Sequence, residues 1–254
     1  MTTPTNPRRE HPGTYIVQDR SNEEELTRVN IQDRMFTAGM GGVLPEQPDP
    51  ASLQRVLDVG CGTGNWLIEV AKTYPTISLL VGVDISNKMV EYARTQAEAQ
   101  QVSDRVHFQT MDALLMLEFP ADFFDLVNLR LGLSFLRTWD WPKLLHEFQR
   151  VTQPGGVIRV TESDQVVTSS PAQMRYIELL GPAFYQAGYT YTQKITIASE
   201  LARLLRQYGL QEVQTRSHTL EYRAGSIEWQ AFYDDTRHAM RTILPFRRKW
   251  AQGP

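Results

Sequence analysis

Short apolar runs alternate with amphipathic segments through the middle of the chain. Five runs rich in Val, Leu and Ile follow one another: "RVLDVG", "SLLVGVDI", "RVHFQTM", "FDLVNLR" and "GVIRVTE". Such runs are typical of parallel strands that are covered on both faces. Three segments of helical periodicity lie between them: "NWLIEVAKTY", "SNKMVEYARTQAEAQ" and "WPKLLHEFQRV". The alternation predicts an α/β fold with a Rossmann-like, doubly wound, mostly parallel sheet.

A helical leader precedes the predicted sheet. Residues 1–13 are polar and rich in proline, so we expect them to be disordered. Residues 14–254 are predicted to form one domain. Within it, the leader of residues 14–44 contains "SNEEELTRVNIQDRMFTAGMGG", a helix with glutamates in its first turn and glycines at its end.

The pattern changes after the fifth predicted strand. Residues 165–195 predict a helical insertion that could cap the ligand crevice of the sheet, with a break or kink at Gly181–Pro182. A further helix, "ASELARLLRQYG", leads to "LQEVQTRSHTLEYR", whose alternation predicts an antiparallel edge strand. The last helix is predicted to end at Pro245.

Composition narrows the possible partners. The formal net charge of −3 gives no broad attraction to nucleic acid. Cys61 is the single cysteine and the five histidines are scattered, so no zinc-type spacing occurs. The sequence shows neither an apolar run of membrane-spanning length nor the apolar core of a secretory signal. We therefore expect a cytoplasmic protein with no metal, no nucleic-acid partner and no membrane partner, and the oligomeric state stays open.

Three glycines alternate with other residues in "VLDVGCGTGNW", directly after the first predicted strand. Glycine allows positive φ and close approach of a ligand to the backbone, here beside a helix N-terminus. A dinucleotide fingerprint would place its third glycine at Asn65, so the spacing speaks against a nicotinamide cofactor. The pattern D-x-G-x-G-x-G resembles the signature of class I S-adenosylmethionine-dependent methyltransferases.

This resemblance implies S-adenosylmethionine as cofactor and S-adenosylhomocysteine as its product. The family binds it with the glycine loop and the ends of the next three strands, which here implies Asp58, Gly60, Gly62, Gly64, Asp84, Ile85, Met89, Met111, Asp112, Ala113 and Asn128. Asp84 would accept both ribose hydroxyls, and Ile85 and Met89 would flank the adenine. Asp112 would accept the adenine amino group, and Asn128 would lie near the methionine part.

The leader resembles that of many methyltransferases of secondary metabolism, which carry Tyr, then E-x-x-R, then Gln. The matching residues are Tyr15, Glu25, Arg28 and Gln32. In those relatives the leader folds over the carboxylate end of the cofactor, so Tyr15, Arg28 and Gln32 are predicted cofactor residues and the helix is a predicted lid. The alternative is an amphipathic surface helix with solvated Glu/Arg pairs.

Few residues are candidates for acting on the methyl acceptor. Arg130 could bind an anionic group of the acceptor or form a salt bridge to an acid such as Asp164. Glu162 could point into the crevice or make an edge hydrogen bond, and His218 could be catalytic or structural. Aromatic side chains of the insertion could line an apolar or aromatic acceptor site, or pack in the core.

The resemblance implies a methyltransferase, and we expect it to act on a small molecule, mainly by proximity and alignment. The N/D-P-P-Y motif of enzymes that methylate DNA or glutamine amino groups is absent, because "NLRL" stands at that place. Methylation of O, N and C stays open, as does the need for a general base. Two alternatives are a non-catalytic, cofactor-binding regulatory protein and a nicotinamide-dependent Rossmann enzyme.

Overall fold

The computed structural model describes Ile16 and residues 23–250. Its strands are β1 Arg55–Val59, β2 Leu79–Asp84, β3 Val106–Thr110, β4 Phe124–Arg130 and β5 Thr152–Thr161. They form one sheet of five parallel strands in the order β3-β2-β1-β4-β5. The chain reverses its direction of travel across the sheet between β1 and β4, which is where such folds bind ligands.

Helices cover the sheet and extend beyond it. They are α1 Glu23–Gly39, α2 Asn65–Thr73, α3 Asn87–Ala99, α4 Trp141–Val151, α5 Pro171–Gln186, α6 Ala198–Gln207, α7 Ile227–Thr242 and α8 Leu244–Trp250. The predicted Rossmann-like α/β fold is therefore confirmed, and α2 and α4 begin where the sequence pattern places them.

The two faces of the sheet differ in polarity. One face packs apolar strand residues such as Leu57 and Val127 against α4 and the C-terminal helices. The other face packs residues such as Val56 and Leu126 against α2 and α3. Toward the carboxyl ends of the strands this second face becomes polar, with Asp58, Asp84, Asn128, Arg130 and Arg159. A buried polar group is costly without a partner, so these side chains must bind one another or a ligand.

The predicted antiparallel edge strand is wrong, because residues 211–223 have no strand partner. Their alternating apolar side chains pack on helices. The ring of Tyr222 stacks on Phe232 of α7 at a centroid distance of 4.7 Å. Leu220 lies so close to Gly39 that a Cβ there would be 2.5 Å from Leu220 Cγ. Alternate side chains of this segment can pack on helices in this way, so their alternation does not require the segment to pair with a strand.

The structure also differs from the prediction at two prolines. Of the break or kink predicted at Gly181–Pro182, the break is wrong, because α5 continues through both residues. A proline inside a helix costs about 3 kcal/mol, but Ala183 and Phe184 beside it are buried, at 0% and 3% exposure, and favour the continuous helix. Pro245 does not end the last predicted helix. α7 ends at Thr242, and Pro245 lies in the first turn of α8, where a missing N–H is tolerated.

Candidate functional site

A cleft opens at the carboxyl ends of the strands, between the sheet and α1. Ten of the predicted cofactor residues line it: Gln32, Asp58, Gly60, Gly62, Asp84, Ile85, Met89, Met111, Asp112 and Ala113. Arg130 lines it as well. Gly64, Asn128 and Arg28 are not in this lining, and Tyr15 lies outside the described residues. The structure thus brings most of the motif residues to one place.

The glycine loop connects β1 to α2 with left-handed backbone at Gly62 and Gly64, whose φ angles are 52° and 73°. The two glycines face different surroundings. A Cβ on Gly62 would point toward the cleft, 3.4 Å from Val29 Cγ1 of α1. A Cβ on Gly64 would overlap the ring of Phe108. Gly62 therefore keeps the cleft open, whereas Gly64 allows α2 to pack closely on the sheet.

Asp84 ends β2 with its carboxylate held by main-chain donors. The Gly62 N–H donates to Oδ2 at 3.0 Å, and the Ser86 N–H donates to Oδ1 at 2.8 Å. These bonds tie the glycine loop to the start of α3. Met111 follows β3 beside it, and its N–H donates to the Asp84 carbonyl at 2.9 Å. An acid fixed in this way presents an oriented hydrogen-bond acceptor to the cleft.

Asp58 lies beneath the glycine loop with 4% of its surface exposed. The Asn128 side-chain N–H donates to Asp58 Oδ1 at 2.7 Å. Burial raises the pKa of Asp58 to about 7, against the lowering effects of Asn128 and Arg159. A cation in the cleft would stabilise the charged form of this carboxylate.

Asp33 of α1 is a cleft residue that the sequence reasoning missed. It forms an ion pair with Arg130 at the end of β4, and the Asn65 side-chain N–H donates to Asp33 Oδ2 at 2.6 Å. The predicted salt bridge of Arg130 to an acid therefore exists, with Asp33 as the acid in place of Asp164. Burial lowers the pKa of Arg130 to about 9, with a smaller contribution from Arg159.

The cleft-facing side of α1 could have been found from spacing alone. Val29, Gln32, Asp33 and Phe36 all line the cleft, and their spacing of i, i+3, i+4 and i+7 places them on one helix face. This face combines two polar with two apolar side chains. The sequence motif singled out only Gln32 from it.

Arg28 lies on α1 away from the cleft lining. Its guanidinium donates to both carboxylate oxygens of Glu25 at 2.8 Å and to Asp235 of α7 at 2.9 Å. All three side chains are buried or nearly so. Arg28 thus joins the leader helix to the C-terminal part of the fold.

Glu162 and His218 are not in the lining of the cleft. The carboxylate of Glu162 accepts the Leu133 N–H at 3.0 Å, in the turn that follows β4. Burial raises the pKa of Glu162 to about 8. His218 lies half-buried in the segment 211–223. The edge hydrogen bond considered for Glu162 is present.

The insertion of residues 165–195 contributes no residue to the described lining of the cleft. Three of its aromatic side chains contact the C-terminal helices. The rings of Phe184 and Tyr189 contact Phe246 of α8 edge-on, at centroid distances of 5.2 and 5.7 Å. The Tyr176 hydroxyl donates to the Met240 carbonyl at 3.1 Å. Packing on α7 and α8 thus accounts for Tyr176, Phe184 and Tyr189, whereas Tyr185 and Tyr191 are 48% and 36% exposed.

Within Ile16 and residues 23–250, no group of three or more His, Cys, Asp or Glu side chains could hold a metal ion. The helices of this part of the chain include none that is both long enough and apolar enough to cross a membrane.

Residues 56–156 match the family model described as a methyltransferase domain. The chain is 35% identical over 176 residues to the demethylmenaquinone methyltransferase of Lactiplantibacillus plantarum, covering 64% of this chain and 73% of that protein. The enzyme of the same name from Bacillus licheniformis is 27% identical over 186 residues, covering 68% and 78%.

Solved structures show the same fold at lower identity. An O-methyltransferase family protein from Burkholderia thailandensis superposes with a TM-score of 0.57 at 19% identity, covering 79% of this chain and 56% of that one. The YcgJ protein from Bacillus subtilis superposes with a TM-score of 0.50 at 22% identity, covering 85% and 83%. With the glycine-loop motif, the parallel sheet and these relatives together, the chain belongs to the class I S-adenosylmethionine-dependent methyltransferases.

Proposed function

We propose that this enzyme binds S-adenosylmethionine in the cleft and transfers its methyl group to a small, largely apolar acceptor. The observation that carries the proposal is the pair of carboxylates beneath and beside the glycine loop. Asp84 is oriented by main-chain donors, and Asp58 is buried where a cation would favour its charge. One acid suits the hydroxyls of a nucleoside and the other suits a cationic group.

The remaining lining fits the same ligand. Ile85, Met89 and Met111 supply apolar surface next to Asp84, which suits the faces of an adenine ring. Gly62 leaves room for the ligand to approach the backbone of the loop. The cofactor would thus extend from Met111, past Asp84, to Asp58.

When bound, the cofactor supplies an electrophilic methyl group, and the chain supplies alignment in a site shielded from water. Holding the acceptor in line with the methyl group contributes about 7–11 kcal/mol to lowering such barriers. Val29 and Phe36 of α1 contribute apolar side chains to the lining of the cleft, and we expect them to limit the access of water to it. Alignment is therefore the main catalytic contribution that we assign to this chain.

The acceptor is assigned to the part of the cleft between α1 and the turn after β4. Phe36, Leu131 and Phe135 give this part an apolar wall, and Arg130 and Ser134 add polar groups. Such a lining suits a flat, apolar ring that carries an oxygen substituent. The curated relatives are named for demethylmenaquinone, so we propose a quinone or its reduced form as the first acceptor class to test.

Transfer of tritium from methyl-labelled cofactor to a panel of acceptors tests this function. The panel contains quinones and their reduced forms, other hydroxylated aromatic rings, amines and a DNA duplex. We expect labelled product with one of the aromatic classes and none with DNA. Thermal unfolding is followed in parallel, and S-adenosylhomocysteine should raise the Tm whereas NADH should not. A Tm that responds to NADH alone would contradict the proposal.

A further inference from the structure

We propose that Arg159 is a positioning residue that acts through Asn128 to orient the Asp58 carboxylate and keep it charged toward the cofactor. The three residues form one row across the sheet. This inference rests on the proposed function, because it takes Asp58 to face a bound cofactor.

The register of the sheet creates this row. Asp58 of β1 is paired with Asn128 of β4, and Asn128 is paired with Arg159 of β5. Paired residues of neighbouring strands point to the same face, so the three side chains lie side by side. All three are buried, with exposures of 4%, 0% and 8%.

The hydrogen bonds run in one direction along the row. Arg159 Nη1 donates to Asn128 Oδ1 at 2.8 Å, and Asn128 Nδ2 donates to Asp58 Oδ1 at 2.7 Å. An asparagine is suited to the middle position because its amide has an acceptor for the guanidinium and a donor for the carboxylate. Leucine could do neither, and aspartate could not donate when charged.

The other end of the row is fixed by a residue outside the sheet. Arg159 Nε donates to Glu46 Oε1 at 2.8 Å, and Glu46 belongs to the loop between α1 and β1. The Glu46 side chain is 25% exposed, so the ion pair reaches the protein surface. The Arg159 guanidinium also lies over the ring of Trp66 of α2, 5.7 Å from its centroid. Arg159 is therefore held from three directions.

The surroundings of Asp58 have opposing effects on the charge of its carboxylate. Arg159 stabilises the carboxylate, whereas burial and the neighbouring Asp84 of β2 destabilise it. Arg159 does not touch Asp58, so its effect combines its charge with the orientation that Asn128 transmits. Removing the cation should leave Asp58 in a protonated form at neutral pH, and a protonated acid attracts the cationic cofactor less.

The test measures the titration of Asp58 by carbon NMR of labelled aspartate carboxyls in the ligand-free protein, with Asp58→Asn for assignment. Arg159→Met should raise the titration midpoint by about one pH unit, because an opposite charge nearby shifts a pKa by 1–3 units. Glu46→Gln keeps a hydrogen-bond acceptor for Arg159 but removes a negative charge, so it should lower the midpoint. Arg159→Lys should restore part of the wild-type value.

Glu69→Gln is the matched control, since Glu69 forms an exposed ion pair with Lys72 on α2 and should leave the Asp58 midpoint unchanged. If Arg159→Met does not fold, the partly exposed Glu46 decides the question through Glu46→Gln. Midpoints that stay unchanged in folded Arg159→Met, or in Glu46→Gln, would overturn the proposal.

Binding of S-adenosylhomocysteine separates this inference from the proposed function. At pH 7, Arg159→Met should weaken binding by about fivefold, because a rise of the midpoint from about 7 to about 8 lowers the charged fraction of Asp58 from about one half to about one tenth. If the wild type binds no S-adenosylhomocysteine, the proposed function fails, and the ligand-free titration still decides whether Arg159 acts on Asp58. Weaker binding without a change in the midpoint would reduce Arg159 to a structural role.

Discussion

Asp33 and Arg130 form an ion pair across the cleft, between the leader helix α1 and the end of β4. Both side chains are mostly buried, with exposures of 10% and 13%. Arg130 Nη1 also donates to Thr37 of α1 at 3.2 Å, and Asp33 accepts from Asn65 at the start of α2. The cover of the cleft is thus held by directed polar contacts to the sheet, in addition to apolar packing.

Replacing Asp33 with Asn should loosen this cover. Breaking a buried ion pair costs about 3–5 kcal/mol, so hydrogen exchange in residues 23–39 should speed up by at least about tenfold. In the wild type, S-adenosylhomocysteine should slow exchange in the same residues, because α1 lines the cleft in which we propose that the ligand binds. Arg175→Gln, which removes an exposed pair with Glu178, is the control. Equal exchange in wild type and Asp33→Asn would show that the pair does not hold α1.

Asp84→Ala should weaken binding of S-adenosylhomocysteine by roughly ten- to a hundredfold. Hydrogen bonds to a charged group contribute about 1.5–3 kcal/mol, and alanine removes the acceptor that we assign to the ribose. Calorimetry on a variant with an unchanged circular dichroism spectrum measures this. Asp104→Ala is the control, because Asp104 is 73% exposed and lies outside the cleft lining. Unchanged affinity in Asp84→Ala would remove Asp84 from the site.

Gly62→Val should abolish cofactor binding in a protein that stays soluble. The change puts a β-branched side chain at φ 52°, where it points toward α1 and fills the cleft. Gly41→Val is a matched control for backbone strain, because Gly41 has φ 87° and a Cβ there meets nothing within 4 Å. We expect both variants to lose stability and only Gly62→Val to lose binding, as measured by calorimetry and thermal unfolding. Equal loss of binding in both would point to general destabilisation.

Ionisation of the Glu162 carboxyl group should lower the free energy of unfolding as pH rises. Its pKa is raised from 4.5 to about 8 in the folded state, so between these values the folded protein holds a proton that the unfolded chain releases. Stability from this group is therefore fully present below pH 4.5 and is lost as pH rises toward 8, by at most about 1.4 kcal/mol per pH unit. Glu162→Gln keeps an acceptor for the Leu133 N–H and removes the titration.

Urea unfolding of wild type and Glu162→Gln between pH 5 and 9 measures this difference. The variant should show a flatter loss of stability over that range, and Asp58 and Asp235, whose pKa values are also raised, contribute to the slope that remains. The same slope in both proteins would show that the Glu162 carboxylate is solvated in the folded state.

The sheet and most of the cleft could be predicted from the sequence, because each is marked by a pattern within a few neighbouring residues. Buried parallel strands need continuous apolar runs, and a glycine loop needs glycine at particular positions, so both leave a readable pattern. The place of Asp84 in the cleft was predictable, because Asp84 ends a strand and the carboxyl ends of parallel strands lie at the same edge of the sheet. The polar row through Asn128 and Arg159 was not predicted, because it depends on which strands become neighbours.

Features that depend on distant packing could not be read from the sequence. The segment 211–223 has the alternation of a strand, but contacts with α1 and α7 decide its conformation. Pro182 remains inside a helix because its neighbours are buried. Asp33 carries no motif, and its role depends on how α1 docks on the sheet. The partner of Arg28 was unpredictable for the same reason, since Asp235 is 207 residues away in the sequence.

The contact between Arg28 and Asp235 limits how far the nascent chain can fold while it is being synthesised. A ribosome delivers α1 first and α7 only after all five strands have been synthesised. During this time the sheet and glycine loop can form, but Arg28 lacks the acid that joins α1 to the C-terminal helices. We therefore expect nascent chains that end before α7 to have an assembled sheet and a leader helix that is held only by its contacts with the sheet and α2, such as the pair of Asp33 with Arg130. The leader helix would then be fully anchored only when the last helices leave the ribosome.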